Sequence, residues 1–193
     1  MGIYTQKEVI NMMPFQASAS TSTPSKLLEY QNSSYGVRFQ FPADWKKIEI
    51  LAGKIALVEF VLPPQNISSK IPESITVSIE KHLPNNVTTP AAYINASNRL
   101  LNSTFGVFNM TSLKSTTLSG LPAFERVINS TERAPGFDLR IGQVFTIKND
   151  KAYIITYAAS PSTYNKYIPV VDELVKTFQI ISTANRTSSG GAS

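Results

Sequence analysis

The chain has 193 residues, enough for one domain with a full core and short of a comfortable two. It contains no cysteine, which removes disulfides, thiolate nucleophiles and cysteine metal sites together. Its net charge of +5 and pI near 9.4 are spread along the chain, with Lys46-Lys47 as the densest cluster, so no basic stripe for nucleic acid is present. No run of about eighteen apolar residues occurs, and the chain carries no transmembrane span.

Residues 1–26 read as a flexible tether, because Gln16 to Ser25 is small, polar and turn-rich. Ala17-Ser18-Ala19 has the small-x-small look of a signal-peptidase site, but Gln6, Lys7, Glu8 and Asn11 are too polar for the apolar region that should precede it. A signal or anchor is then expected upstream of Met1 or not at all. Residues 183–193 form a second polar tail.

The globule begins at Leu27, and its centre of organisation is Tyr35 to Lys47. Val37, Phe39 and Phe41 alternate with Arg38 and Gln40, giving a strand with one apolar face. Pro42 ends it, Ala43-Asp44 turn the chain, and Trp45 seeds a core. Ile48-Glu49-Ile50 follow, then Ile55 to Leu62, an apolar run suited to a strand buried on both faces and stopped by Pro63-Pro64. Ile75, Val77 and Ile79 alternate with polar residues in a half-buried strand, broken at Pro84 and Asn85-Asn86.

Thr89 as N-cap and Pro90 at the first helical position open a helix. Its apolar face carries Tyr93, Ser97, Leu100, Leu101 and Thr104. Strands resume at Met110 to Leu118, turn at Ser119-Gly120, and continue from Pro122 to Ile128. Phe137 to Ile147 and Ala152 to Ala158 form a hairpin across Asn149-Asp150, residues that tolerate positive φ. Thr163 opens a last helix with a stripe of Tyr164, Tyr167, Ile168, Val171, Leu174, Val175 and Phe178. Pro169 lies off that stripe and is expected to bend the helix. Phe178 to Ile181 add a short edge strand. Strands in runs, with one helix inserted and another closing, give an α+β domain over residues 27–182 around an antiparallel sheet of roughly six to eight strands.

The opening Tyr-Gly-x-x-Phe-x-Phe-Pro-x-x-Trp resembles the first strand of the PsbP-like family, whose fold also occurs in the Ran-binding protein Mog1. The Ser-Ile-Thr-Val-Ser strand before a Thr-Pro helix, the Leu121-Pro122-Ala123 turn and the closing Tyr164 to Ile181 segment are similar too. The resemblance covers about Leu27 to Ser182 and implies an α/β/α sandwich with a central antiparallel sheet, in an archaeal or bacterial member with no assigned function. It also implies a non-enzymatic accessory or binding role. Plant members serve photosystem II on its lumenal side and help retain calcium and chloride. No position here matches their metal-binding residues, so no cofactor is expected, and calcium, manganese or zinc enter through the resemblance only.

The functional signal in the residues themselves is a set of Asn-x-Ser/Thr sequons at Asn32, Asn66, Asn86, Asn95, Asn102, Asn109, Asn129 and Asn185, eight of the thirteen asparagines. Serine and threonine make up about one residue in five, so chance supplies roughly two or three. On the first helix, Asn95 and Asn102 point about 200° and about 180° from Tyr93, away from the apolar stripe. A Ser/Thr/Asn-rich composition yielding sequons freely is the plain alternative.

His82, the lone histidine, shares a strand face with Glu80, so the pair offers two ligands to zinc or manganese without a visible third. No strand-turn-helix elbow surrounds a serine, the carboxylates are scattered, and no Gly-rich phosphate loop exists; Arg133 to Gly136 is a turn. Tyr153, Ile155 and Tyr157 share a strand face that suits core packing better than a groove. The chain is thus expected to be a monomeric, non-enzymatic, glycosylated extracytoplasmic module bound to a protein or envelope partner such as a membrane complex. The alternatives are an intracellular Mog1-like protein that binds a nucleotide-binding partner, and a metal-binding protein using Glu80 and His82.

Overall fold

The computed structural model describes residues 26–52, 55–62, 73–105, 108–130 and 138–182. The expected tether up to residue 25, the tail 183–193, the Pro63-Pro64 stop and the Arg133 to Gly136 turn lie outside them. The described elements run β1 (Leu27–Asn32), β2 (Val37–Pro42), β3 (Lys46–Ala52), β4 (Ile55–Val61), β5 (Ser74–Lys81), α1 (Pro90–Phe105), β6 (Phe108–Leu118), β7 (Leu121–Ser130), β8 (Leu139–Lys148), β9 (Lys151–Ala159), a 3-10 turn (Tyr164–Tyr167), α2 (Ile168–Thr177) and β10 (Gln179–Ile180).

Among the described residues all strand pairings are antiparallel, in two sheets. The larger has seven strands in the order β3-β4-β5-β9-β8-β7-β6, and the smaller has three in the order β1-β2-β10. The aromatic-led strand β2 is therefore the middle of the small sheet and not part of the large one, and β1 is a strand that no sequence pattern announced. Leu28 and Glu29 are exposed and Tyr30 is buried, so β1 shows little alternation, and pairing with β2 holds it in place. Along β2 the alternation is as expected, with Val37, Phe39 and Phe41 buried and Arg38 and Gln40 half-buried.

Those side chains meet the large sheet through rings. Phe39 and Phe41 pack on Phe60 of β4 at 5.7 and 4.4 Å between centroids, and Phe39 stacks on Phe178 at 5.9 Å. Trp45 sits edge-on to Tyr167 at 5.8 Å. The closing helix adds Ile168, Val171, Leu174 and Val175 to the same core. The opposite face of the large sheet is covered by α1, which packs on β6, β7 and β8 through Tyr93, Phe124, Phe145 and Ile154. The result is an α+β sandwich: α1, then the seven-stranded antiparallel sheet, then α2 together with the small sheet.

Two expectations change. The β4 run is buried on one face only, with Val58 and Phe60 buried and Leu57, Glu59 and Val61 half-buried. The reason is reach, because α1 covers the β6–β8 half of its face and leaves β4 partly open. Pro169 does not bend a long helix; it occupies the second position of α2, where its missing N–H breaks nothing, and the predicted single helix divides into the 3-10 turn and α2.

The turns follow their residues. Asn149 and Asp150 have φ of 50° and 57°, and Ser119 and Gly120 have 54° and 73°, so both two-residue hairpins carry the paired positive φ that matches strand twist. Thr89 caps α1 through Ala92 N–H to Thr89 Oγ1 at 3.2 Å.

Candidate functional site

The sequence-derived ligand pair straddles the end of β5. Glu80 lies in β5, half-buried, and its Oε2 accepts the Tyr93 hydroxyl proton at 2.8 Å. His82 falls one residue past the end of β5, exposed, with φ of 58°, so strand alternation does not extend to it. Among the described residues no group of three or more His, Asp or Glu is placed to hold a metal ion. Burial, reinforced by the nearby Glu80 charge, pushes the Tyr93 hydroxyl far above its ordinary range, so it stays a donor.

Of the sequon asparagines, Asn86, Asn95, Asn109 and Asn129 are exposed. Asn32 is half-buried, and its Oδ1 accepts from Ser34 N–H at 3.0 Å and Tyr35 N–H at 3.2 Å, closing the β1–β2 turn. Asn95 lies on α1 while Tyr93 and Ser97 of the same helix are buried, which agrees with the helical spacing. Asn109 and Asn129 are direct cross-strand partners in β6 and β7, a juxtaposition that no local pattern reveals. Asn66 and Asn185 lie outside the described residues, as does the side chain of Asn102.

Two polar clusters sit inside the fold. Beneath α1, Arg126 is 2% exposed. Its Nε donates to Gln143 Oε1 at 2.7 Å and its Nη1 to Asn98 Oδ1 at 3.0 Å, while Gln143 Nε2 donates to Thr156 Oγ1 at 2.9 Å. The guanidinium lies 5.1 Å from the centre of the Phe145 ring. Burial lowers its pKa to about 10, against the pull of Tyr93. The chain of partners crosses β7, β8 and β9 and ties α1 to the sheet, which is a structural task.

On the other face, Arg140 lies over the Tyr164 ring at 4.7 Å, near Glu125 and Asp172. Arg140 Nε, Tyr164 Oη and Asp172 Oδ1 are buried without hydrogen-bond partners. Burial raises the Asp172 carboxyl to about 7, with Lys176 opposing and Glu125 adding to the shift. Tyr153, Ile155 and Tyr157 are core residues, as their spacing implied.

Among the described residues a groove opens to solvent at the turn end of the β8–β9 hairpin. It holds about 250 Å³ and is lined by Lys148, Asn149, Lys151, Tyr153, Ile180, Ile181 and Ser182. Its outer wall is β10, fixed by Ile180 N–H to Ser119 Oγ at 2.9 Å and Ile181 N–H to Gly36 O at 2.9 Å. The sequence hid this groove because its lysines lie in different strands and its wall comes from the chain's last strand.

No family model matches the chain, and no curated protein matches it in sequence. Solved structures do match in shape. The cyanobacterial PsbP of Synechocystis superposes with a TM-score of 0.60 at 11% identity, over 85% of this chain and 98% of that one. The Ran-binding protein Mog1p of Saccharomyces cerevisiae gives 0.57 at 10% identity, over 82% and 97%. LpqN of Mycobacterium tuberculosis, involved in cell envelope biogenesis, gives 0.57 at 12% identity, over 81% and 91%. With the sheet order and the two covering helices already in view, these superpositions establish that the chain has the PsbP/Mog1-like fold.

Proposed function

We propose that the chain is a non-enzymatic binding module that works outside the cytoplasm, held to a membrane complex or the cell envelope, and that it carries glycans on its sequon asparagines. The observation that carries this reading is the placement of Asn86, Asn95, Asn109 and Asn129, all of them exposed. An acceptor asparagine has to present its amide to solvent once a bulky glycan is attached. LpqN, which has this fold, is involved in cell envelope biogenesis, and that setting supports the same compartment. No helix among the described residues is long and apolar enough to cross a membrane, so attachment is assigned to the tether or to a partner.

The test is glycopeptide mass spectrometry on protein purified from its native source. Modified Asn95 and at least one of Asn109 and Asn129 are expected. Unmodified asparagines throughout, Asn95 and Asn102 above all, would transfer the reading to an intracellular module that binds a nucleotide-binding protein, as the likeness to the Ran-binding Mog1p suggests.

A further inference from the structure

We propose that the groove between the β8–β9 turn and β10 binds a small phosphate-bearing ligand through Lys148 and Lys151, with Lys81 adding to the local field. The inference rests on reading the chain as a binding module, and it needs neither the glycans nor the compartment.

Register places the three lysines in one row. Lys81 of β5 is the cross-strand partner of Lys151 in β9, and Lys151 is the partner of Lys148 in β8. Partners in antiparallel strands point to the same face with Cβ atoms about 5 Å apart, and like charges so placed repel. That face is the one bearing Tyr153, Ile155 and the small sheet. None of the three lysines enters an ion pair within the described residues, where Lys47–Glu49 at 2.9 Å is found instead. The Lys81 amine lies 4.6 Å from the centre of the Tyr35 ring. Of the nearby carboxylates, Glu80 belongs to the opposite face and is bonded by Tyr93, and Asp150 is exposed at the turn tip. Three cations in register, none of them held in an ion pair among the described residues, form a place where an anion removes repulsion.

The lining chooses among anions. Lysine is a point-charge phosphate binder, while the Asn149 amide and the Ser182 hydroxyl add neutral donors. Ile180, Ile181 and Tyr153 supply an apolar wall suited to the carbon part of a phosphoester. About 250 Å³ is at the low end for ligand pockets, the size of a headgroup or a small organic phosphate. The phosphate has two available sources, a free organic phosphate or the headgroup of an anionic lipid.

The experiment uses the full chain, isotope-labelled. Titration with sn-glycerol 3-phosphate and with pyrophosphate, followed by amide NMR shifts, should perturb Asn149, Asp150, Lys151 and Ser182 at low salt and weaken as NaCl rises from about 50 mM to about 300 mM. In parallel, flotation compares vesicles of phosphatidylcholine alone with vesicles that also contain phosphatidylglycerol. Shifts with the soluble phosphates identify a free phosphate as sufficient, and flotation confined to the anionic vesicles, without such shifts, identifies the lipid headgroup. In either case Lys148→Gln and Lys151→Gln should each weaken binding about five- to tenfold, and Lys46→Gln, the same charge change on β3, should leave it intact. Unchanged hairpin chemical shifts elsewhere in the two groove variants confirm that they fold. Neither shifts nor flotation up to about 10 mM phosphate, or equal weakening by Lys46→Gln, overturns the proposal. That failure is distinct from failure of the functional reading, which the glycopeptides decide.

Discussion

The two faces of the seven-stranded sheet are built on different chemistry. The face toward α2 and the small sheet is aromatic and dry, with Phe39, Phe60, Tyr157 and Phe178 each no more than 1% exposed. Its polar groups at the rim, Arg140 Nε, Tyr164 Oη and Asp172 Oδ1, have no hydrogen bonds. The face toward α1 buries fewer rings and runs a bonded polar chain from Asn98 through Arg126 and Gln143 to Thr156. One face is fastened by area and tolerates polar groups at a penalty. The other is fastened by direction, because each donor has an acceptor that only one arrangement of α1 supplies.

The largest break should come from the dry face. Phe39→Ala removes a ring in contact with Tyr30, Phe60 and Phe178, and a buried aromatic truncation costs about 3–5 kcal/mol. Urea unfolding should show the extrapolated unfolding free energy falling by that amount, and a loss below about 1 kcal/mol would mean that the small sheet is not part of the core.

On the bonded face, Arg126→Ala strands Gln143 and Asn98 without their donor and leaves a void, for about 3 kcal/mol. Arg126→Met refills the space without a charge and should recover about half of that. Equal losses for the two variants would show that the arginine acts by its bonds and not by its volume.

The smallest effect has the opposite sign. Asp172 has a folded pKa of about 7 against 3.8 for the free side chain, so the folded state holds a proton that the unfolded chain has released. Stability contributed by the neutral form is present below about pH 4 and is lost as pH rises through 7. Asp172→Asn should remove that decline and stabilise the protein at pH 8 by about 1 kcal/mol, a figure reduced for partial solvent exposure. Thermal unfolding at pH 4 and pH 8 measures the gap, and a variant no more stable than the parent at pH 8 would assign Asp172 a partner it lacks here.

Local pattern carried much of the fold. The alternation in β2 and β5, the Thr89 cap, the Asn149-Asp150 turn and the α2 stripe are each decided within a few residues, where sterics and periodicity act without help from the rest of the chain. The division into two sheets was not legible, because β1 alternates weakly and β10 is two residues long; both are strands only by virtue of lying beside β2. The candidate sites divide in the same way. Exposure of Asn95 follows from helix geometry, whereas the positive φ that puts His82 past the end of β5 is not announced by its sequence.

By itself, the sequence determined the apolar faces, the turn chemistry, the absence of cysteine and the supply of sequons, since each depends on residue identity and spacing along the chain. Only the tertiary structure decided which groups from distant segments meet: Asn109 beside Asn129, Arg126 beneath α1, and Lys81, Lys151 and Lys148 in one row next to β10. Strand register, which fixes those meetings, is set by the fit of whole sheet faces to their covering layers, and no local run of residues encodes it.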